Sequence, residues 1–276
     1  MLIKTKELKK QKLKAVVNYI ICQNAKIYSV IKSTKDVRSG KFRIQLNEDN
    51  NSYGNKNDCH IIIGVGNLEK LFDICSSFCQ TYHVDYRIDR NVFCLSIDDD
   101  LDIDVWDIKE EHLDKFEFLD NKCIGGTDIL VLNAFAFTLY HEFGHVKYDD
   151  CSKLPIENEM RADLFAFEVV KDKCSNYSEI DVCDSPFFIG ALLELVLTLK
   201  VCDSLLMKDD ASHPHPIKRL YRLMDFFHIK EDSYLWEYIY NIVVDWFNDN
   251  NVSMFVKESS PSFKEKMLDA YHRLKK

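Results

Sequence analysis

Two histidines four residues apart, His141 and His145, stand in the stretch LNAFAFTLYHEFGHVKY, with Glu142 beside the first. An α-helix turns once in about 3.6 residues, so the spacing sends both imidazoles off one face. Two neutral imidazoles so placed can supply two nitrogen ligands to a zinc ion. Glu142 is then close enough to act as general base on the water such an ion activates, without binding the metal itself. By ordinary residue frequencies the pattern arises by chance in roughly 1% of chains of this length, so the surroundings must decide. They are Leu130, Val131, Leu132, Phe135, Phe137, Leu139, Phe143 and Val146, apolar nearly all round, which predicts a buried helix. Two imidazoles and a carboxylate on a buried helix are costly without strong partners, and zinc is the simplest one. The ordinary alternative is a pair of core histidines satisfied by hydrogen bonds.

A catalytic zinc site takes a third protein ligand. Downstream, PIENEMRADLFAFE offers Glu159 and Asp163 one helical turn apart. Glu159 is expected as the third ligand, and Asp163 as the acceptor that orients His141 through its other ring nitrogen. Glu157 competes for the role. It points to roughly the opposite side of the same helix, and fits better as a solvated acid near a helix N-terminus.

HEFGH followed by ENEMRAD resembles the gluzincin metallopeptidases, whose pattern is HExxH followed by ExxxD. A third block, Ser212-His213-Pro214 with Arg219 downstream, is similar to the S/T-H-P…R block of the HtpX-type and CAAX-processing peptidases. That resemblance implies that His213 faces the developing oxyanion and that Arg219 supports it; a donor aimed at an oxyanion lowers the barrier. The ordinary reading of HPHP is a proline-rich helix start with exposed histidines. The HtpX-type relatives are built around transmembrane helices, and none is read here. Chain length and the HEFGH block also resemble the phage-exclusion (Lit-type) peptidases, soluble bacterial enzymes that cut a translation factor. The zincin motifs run from His141 to Arg219, and the first half of the chain carries no such resemblance.

The elements that must position these groups follow from periodicity. Thr5–Lys32 predicts a helix with lysines on its solvated face. Strands are expected at Phe42–Leu46, Cys59–Val65, Val84–Ile88, Val92–Ile97 and Leu101–Val105, with a turn-rich stretch at Asn47–Asp58 and a helix at Leu68–Tyr82. From about Thr127 the pattern is nearly all helix: Thr127–Tyr148, Pro155–Lys173, Pro186–Met207, Pro216–Phe227, Ser233–Asn248 and Ser262–Leu274. Pro155, Pro186 and Pro216 sit where a proline starts a helix. The fold class is therefore α+β: a mixed N-terminal region with a small sheet (1–123) feeding a helical, zincin-like C-terminal region (124–276), read as one unit.

The 276 residues carry a formal charge of −9, against broad nucleic-acid binding and compatible with a basic or neutral protein substrate. The longest apolar run, Phe187–Cys202, is broken by Glu194 and Lys200 and falls short of a membrane span. Ten cysteines without a signal peptide read as reduced thiols in a cytoplasmic protein. Cys75, Cys79 and His83 imitate a metal face but have no fourth ligand nearby, and read better as a helix stripe. Asp100, Asp102, Asp104 and Glu111 suggest a calcium loop, yet Val105 stands where glycine is needed. Cys151 as a nucleophile would leave HEFGH without a role.

The expected function is zinc-dependent hydrolysis of a protein or peptide, with zinc on His141, His145 and Glu159, and Glu142 as general base. The alternatives are a non-catalytic zinc-stabilised regulatory or interaction domain, and a sensor peptidase that cuts a single repressor. If Leu101–Val105 borders the cleft, Asp102 and Asp104 would attract a basic substrate; otherwise they line a solvated strand face.

Overall fold

Alternation builds the sheet. In β1 (Phe42–Asn47), Phe42, Ile44 and Leu46 are buried while the residues between them are not, so one face of the strand meets the core. The computed structural model describes residues 2–22, 24–35, 41–55, 59–89, 101–106, 108–116, 123–148, 155–176, 181–202, 213–250 and 262–273. Within these, β3 (His60–Gly64) and β5 (Leu101–Val105) pair with β1 on either side, both parallel to it. The short β2 (Tyr53–Asn55) pairs antiparallel with β3, giving the order β2-β3-β1-β5. A second pairing joins β4 (Ile88–Asp89) to β6 (Cys123–Ile124).

The sheet packs on α5 (Gly126–Tyr148), which is also covered by α3 (Leu68–Tyr82), α6 (Pro155–Ser175) and α7 (Pro186–Val201). Burial on so many sides explains why α5 is apolar nearly all round. Phe42 of β1 stacks on Phe143 of α5, with ring centroids 5.3 Å apart, so the sheet grips α5 between its two histidines. The remaining helices are α1 (Leu2–Cys22), α2 (Ala25–Lys35), α4 (Glu110–Asp114), α8 (Pro216–Phe226), α9 (Tyr234–Asp249) and α10 (Phe263–Arg273). One contiguous set of buried apolar side chains runs from Leu13 to Ala270. The architecture is α+β, a small mixed sheet in the N-terminal half with helices dominating the rest. No helix among the described residues is long and apolar enough to cross a membrane.

The three proline starts hold, at Pro155, Pro186 and Pro216. Several expectations change. The single helix expected over Thr5–Lys32 is two, because Asn24 intervenes: its side-chain oxygen accepts from the backbone N–H groups of Lys26 and Ile27 and caps the second helix. Of Val84–Ile88 only Ile88 lies in a strand. The stretch read as turns over Asn47–Asp58 contains β2, and α7 ends at Val201. The strand expected at Val92–Ile97 lies outside the described residues, as do Asp100, Cys151 and Ser212.

Candidate metal centre

Helices α5 and α6 cross at Gly144. A Cβ there would lie 2.6 Å from the Cα of Ala162, so only glycine permits this approach. Glycine inside a helix costs roughly 0.5–1 kcal/mol relative to alanine, and here the close crossing is what that cost provides. It brings the His141/His145 face of α5 against Glu159 and Asp163 of α6. Gly144→Ala is therefore expected to destabilise the fold by about 1–3 kcal/mol through overpacking and to lower the content of any metal the cluster holds. Gly125→Ala, where an added Cβ meets nothing within 4 Å, is the control and should change neither. Thermal unfolding and metal analysis of the two variants check this.

The three candidate ligand residues converge. His141 Nε2 lies 3.1 Å from His145 Nε2. Each of these nitrogens lies 3.3 Å from an oxygen of Glu159. The two oxygens differ, Oε2 for His141 and Oε1 for His145, and one ligand atom from each of the three residues lies within 4.8 Å of the others. Tetrahedral zinc with bonds of about 2.0–2.1 Å needs donors about 3.3 Å apart, so the two imidazoles stand near that spacing and a small adjustment of the Glu159 carboxylate would complete the set. Glu157, the rival donor, is exposed. The charge distribution also asks for a cation. Burial disfavours a charged His141, but its bonds to Asp163 and Glu159 outweigh that and draw its pKa up to about 10. Burial works against an ionised Glu159 as well, yet the two histidines hold its carboxyl far below the usual range.

Asp163 sits behind the site, completely buried. It faces His141 Nδ1 at 3.1 Å, so it would hold the ring proton on Nδ1 when a metal takes Nε2. Arg219 clamps the same carboxylate with a fork, Nη2 to Oδ1 at 2.7 Å and Nε to Oδ2 at 3.0 Å. Burial opposes the Asp163 charge, and Arg219 first, then His141, hold its carboxyl well below the ordinary value. Arg219 therefore meets Asp163, where the resemblance had implied support for His213. His213 stands at the mouth of the site, its side chain 59% exposed and its Nε2 3.5 Å from Glu159 Oε1. The neighbouring His215 does what a helix start asks of it: its Nδ1 accepts from Ile217 N–H and caps α8.

Glu142 is buried, and one oxygen, Oε2, has no hydrogen-bond partner among the described residues. Burial pushes its carboxyl up, with His141 and His145 pulling the other way. The cleft above these groups has a volume of ≈ 540 Å³ and is lined by Asn50–Gly54, by Thr138, by Glu194 and Thr198 of α7, and by the residues just described. The strand at the cleft is thus β2, pressed so close to α5 that a Cβ on Gly54 would lie 2.4 Å from the Glu142 carbonyl oxygen. Of the two readings of Leu101–Val105, the solvated strand face holds and the cleft border does not: β1 and β3 separate β5 from β2, and Asp104 accepts from Trp106 and pairs with Lys14. Sequence reasoning missed β2, Gly144 and Glu194. A glycine in a buried helix and a lone carboxylate in an apolar one were the available signals for the last two.

Residues 114–239 match the sequence model of the family described as Peptidase U49. The span is less than half of the 276 residues. It includes all the candidate ligands, Glu142, Asp163, His213 and Arg219, and leaves β1, β2, β3 and β5 outside. No curated protein and no solved structure matches the chain. The family match supports a peptidase, a hydrolase that acts on protein or peptide.

Proposed function

We propose that the chain is a zinc-dependent endopeptidase with His141, His145 and Glu159 as metal ligands and Glu142 as general base. The observation that carries the reading is the convergence of one ligand atom each from His141, His145 and Glu159 within 4.8 Å, beside a buried, unpaired carboxylate oxygen. Zinc held there supplies Lewis acidity, lowering the pKa of water and polarising a carbonyl oxygen. Glu142 takes a proton from the attacking water through its unpaired oxygen and delivers it to the leaving amine. Burial keeps the carboxyl's pKa raised, which suits a group that must both accept and release a proton.

His213, at the cleft mouth, supplies a hydrogen bond to the developing oxyanion. Asp163, held by Arg219, fixes the ring orientation and tautomer of His141; both act through the ligand and are positioning residues. An extended substrate lies along β2, at the edge of the sheet and lining the cleft, and pairs with it backbone to backbone.

The test is metal content together with cleavage. Purified protein is expected to hold about one zinc per chain, as a three-ligand catalytic site does. His145→Ala and Glu159→Gln should each release it and abolish peptide cleavage. Zinc retained in full by both variants would remove the ligand assignment.

A further inference from the structure

The cleft contains an acid that the proposed reaction does not use. Glu194 stands on α7 among Leu192, Leu193, Leu195 and Val196, all fully buried. An ionisable group in so apolar a helix is costly unless it has a partner. Its side chain reaches the metal cleft and also lines a smaller adjoining cavity of ≈ 60 Å³ walled by Ile63, Leu68, Phe135 and Leu197. Asn50, Ser52, Thr138 and Glu194 line both spaces, so the carboxyl stands where they meet.

Among the described residues no cation pairs with Glu194. The guanidinium of the cleft, Arg219, has its fork on Asp163. Burial pushes the Glu194 carboxyl up to about 7, against the pull of the Thr138 hydroxyl and of the Arg219 and His141 charges. Such a carboxylate gains most from a cation that a ligand brings to it. An ammonium has three donors, and Asn50 and Ser52 line both spaces beside the carboxylate, the Ser52 hydroxyl already accepting from Gly64 N–H. A flexible aliphatic stem suits the approach across Leu195 and Thr198.

We propose that Glu194 forms a substrate subsite that selects a lysine side chain near the scissile bond, with Asn50 and Ser52 completing the cradle for its ammonium group. This rests on the peptidase reading of the cleft. It gives the chain a preference for basic sequences that the far-edge carboxylates of β5 cannot provide, and it agrees with a net charge of −9.

Binding separates this proposal from catalysis. The probes are N-acetyl-lysine methylamide and N-acetyl-norleucine methylamide, titrated by NMR at pH 8 into zinc-loaded Glu142→Gln protein. The lysine probe is expected to bind about tenfold more tightly, the low end for an ion pair taken out of water. Adding Glu194→Gln should bring lysine down to the norleucine level, with zinc content and thermal unfolding measured alongside to show an intact fold. Equal affinities in the first protein, or a lysine preference that survives Glu194→Gln, would overturn the subsite. A peptide library offered to the wild-type protein tests the reading beneath it. Cleavage without lysine preference in the titration removes the subsite and keeps the peptidase. A lysine preference without any cleavage keeps the cation cradle and removes the peptidase.

Discussion

Glu142→Gln is expected to lower peptide cleavage by about 10²–10⁴-fold, the usual contribution of a positioned general base, while zinc content stays unchanged. Glutamine has nearly the shape of glutamate and keeps one oxygen for the cleft, but it cannot accept a proton at neutral pH. The effect on folding should have the opposite sign. Burial raises the folded-state pKa of Glu142 above its unfolded value. A carboxyl so shifted contributes stability below the ordinary carboxylate range and loses it as pH rises through the raised value. Glutamine has no proton to lose, so the variant should unfold no earlier than wild type at pH 8, even as it loses activity. Loss of zinc would instead make Glu142 a ligand, and unaltered cleavage would remove it from the chemistry. Activity, metal analysis and thermal unfolding on one preparation distinguish these results.

The parts of the site legible in sequence are those governed by helix geometry. One helical turn joins His141 to His145 and Glu159 to Asp163, so each helix presents a matched pair whatever the rest of the chain does. The same rule separates Glu159 from Glu157, and the structure buries the first and exposes the second. Proline marks the starts of α6, α7 and α8 because its fixed φ and missing N–H suit the first turn. What escaped depends on contacts between segments distant in sequence. The residues of β2 include Gly54 and Asn55, poor strand formers, and they are extended because β3 pairs with them. The order β2-β3-β1-β5 puts the alternating Asp102 and Asp104 far from the cleft, and nothing in their own pattern says so. Gly144 shows the same limit: its role is set by Ala162 on another helix.

Arg219→Ala is expected to destabilise the protein by about 3–5 kcal/mol, because it leaves the Asp163 carboxylate buried with its main charge partner gone. For a chain of this size that is a fall in unfolding midpoint on the order of 10 °C. Arg222 softens the loss only slightly, since its Nη1 lies 3.8 Å from Asp163 Oδ2, beyond hydrogen-bond reach. Zinc affinity should drop about 10–100-fold, the usual effect of removing a group that orients a histidine ligand from behind. Arg219→Lys keeps the charge and loses the two-point fork, so it should fall between the two proteins on both measures. The rival role, support of His213 at the oxyanion, makes a different pattern: kcat falls while zinc affinity and the unfolding midpoint stay at wild-type values. His213→Ala supplies the comparison. Its side chain is 59% exposed, so its removal should leave stability within about 0.5 kcal/mol and act on kcat alone. If Arg219→Ala behaves like His213→Ala, the guanidinium serves the oxyanion. If it lowers zinc affinity and stability together, its work is done through Asp163 and the ring of His141.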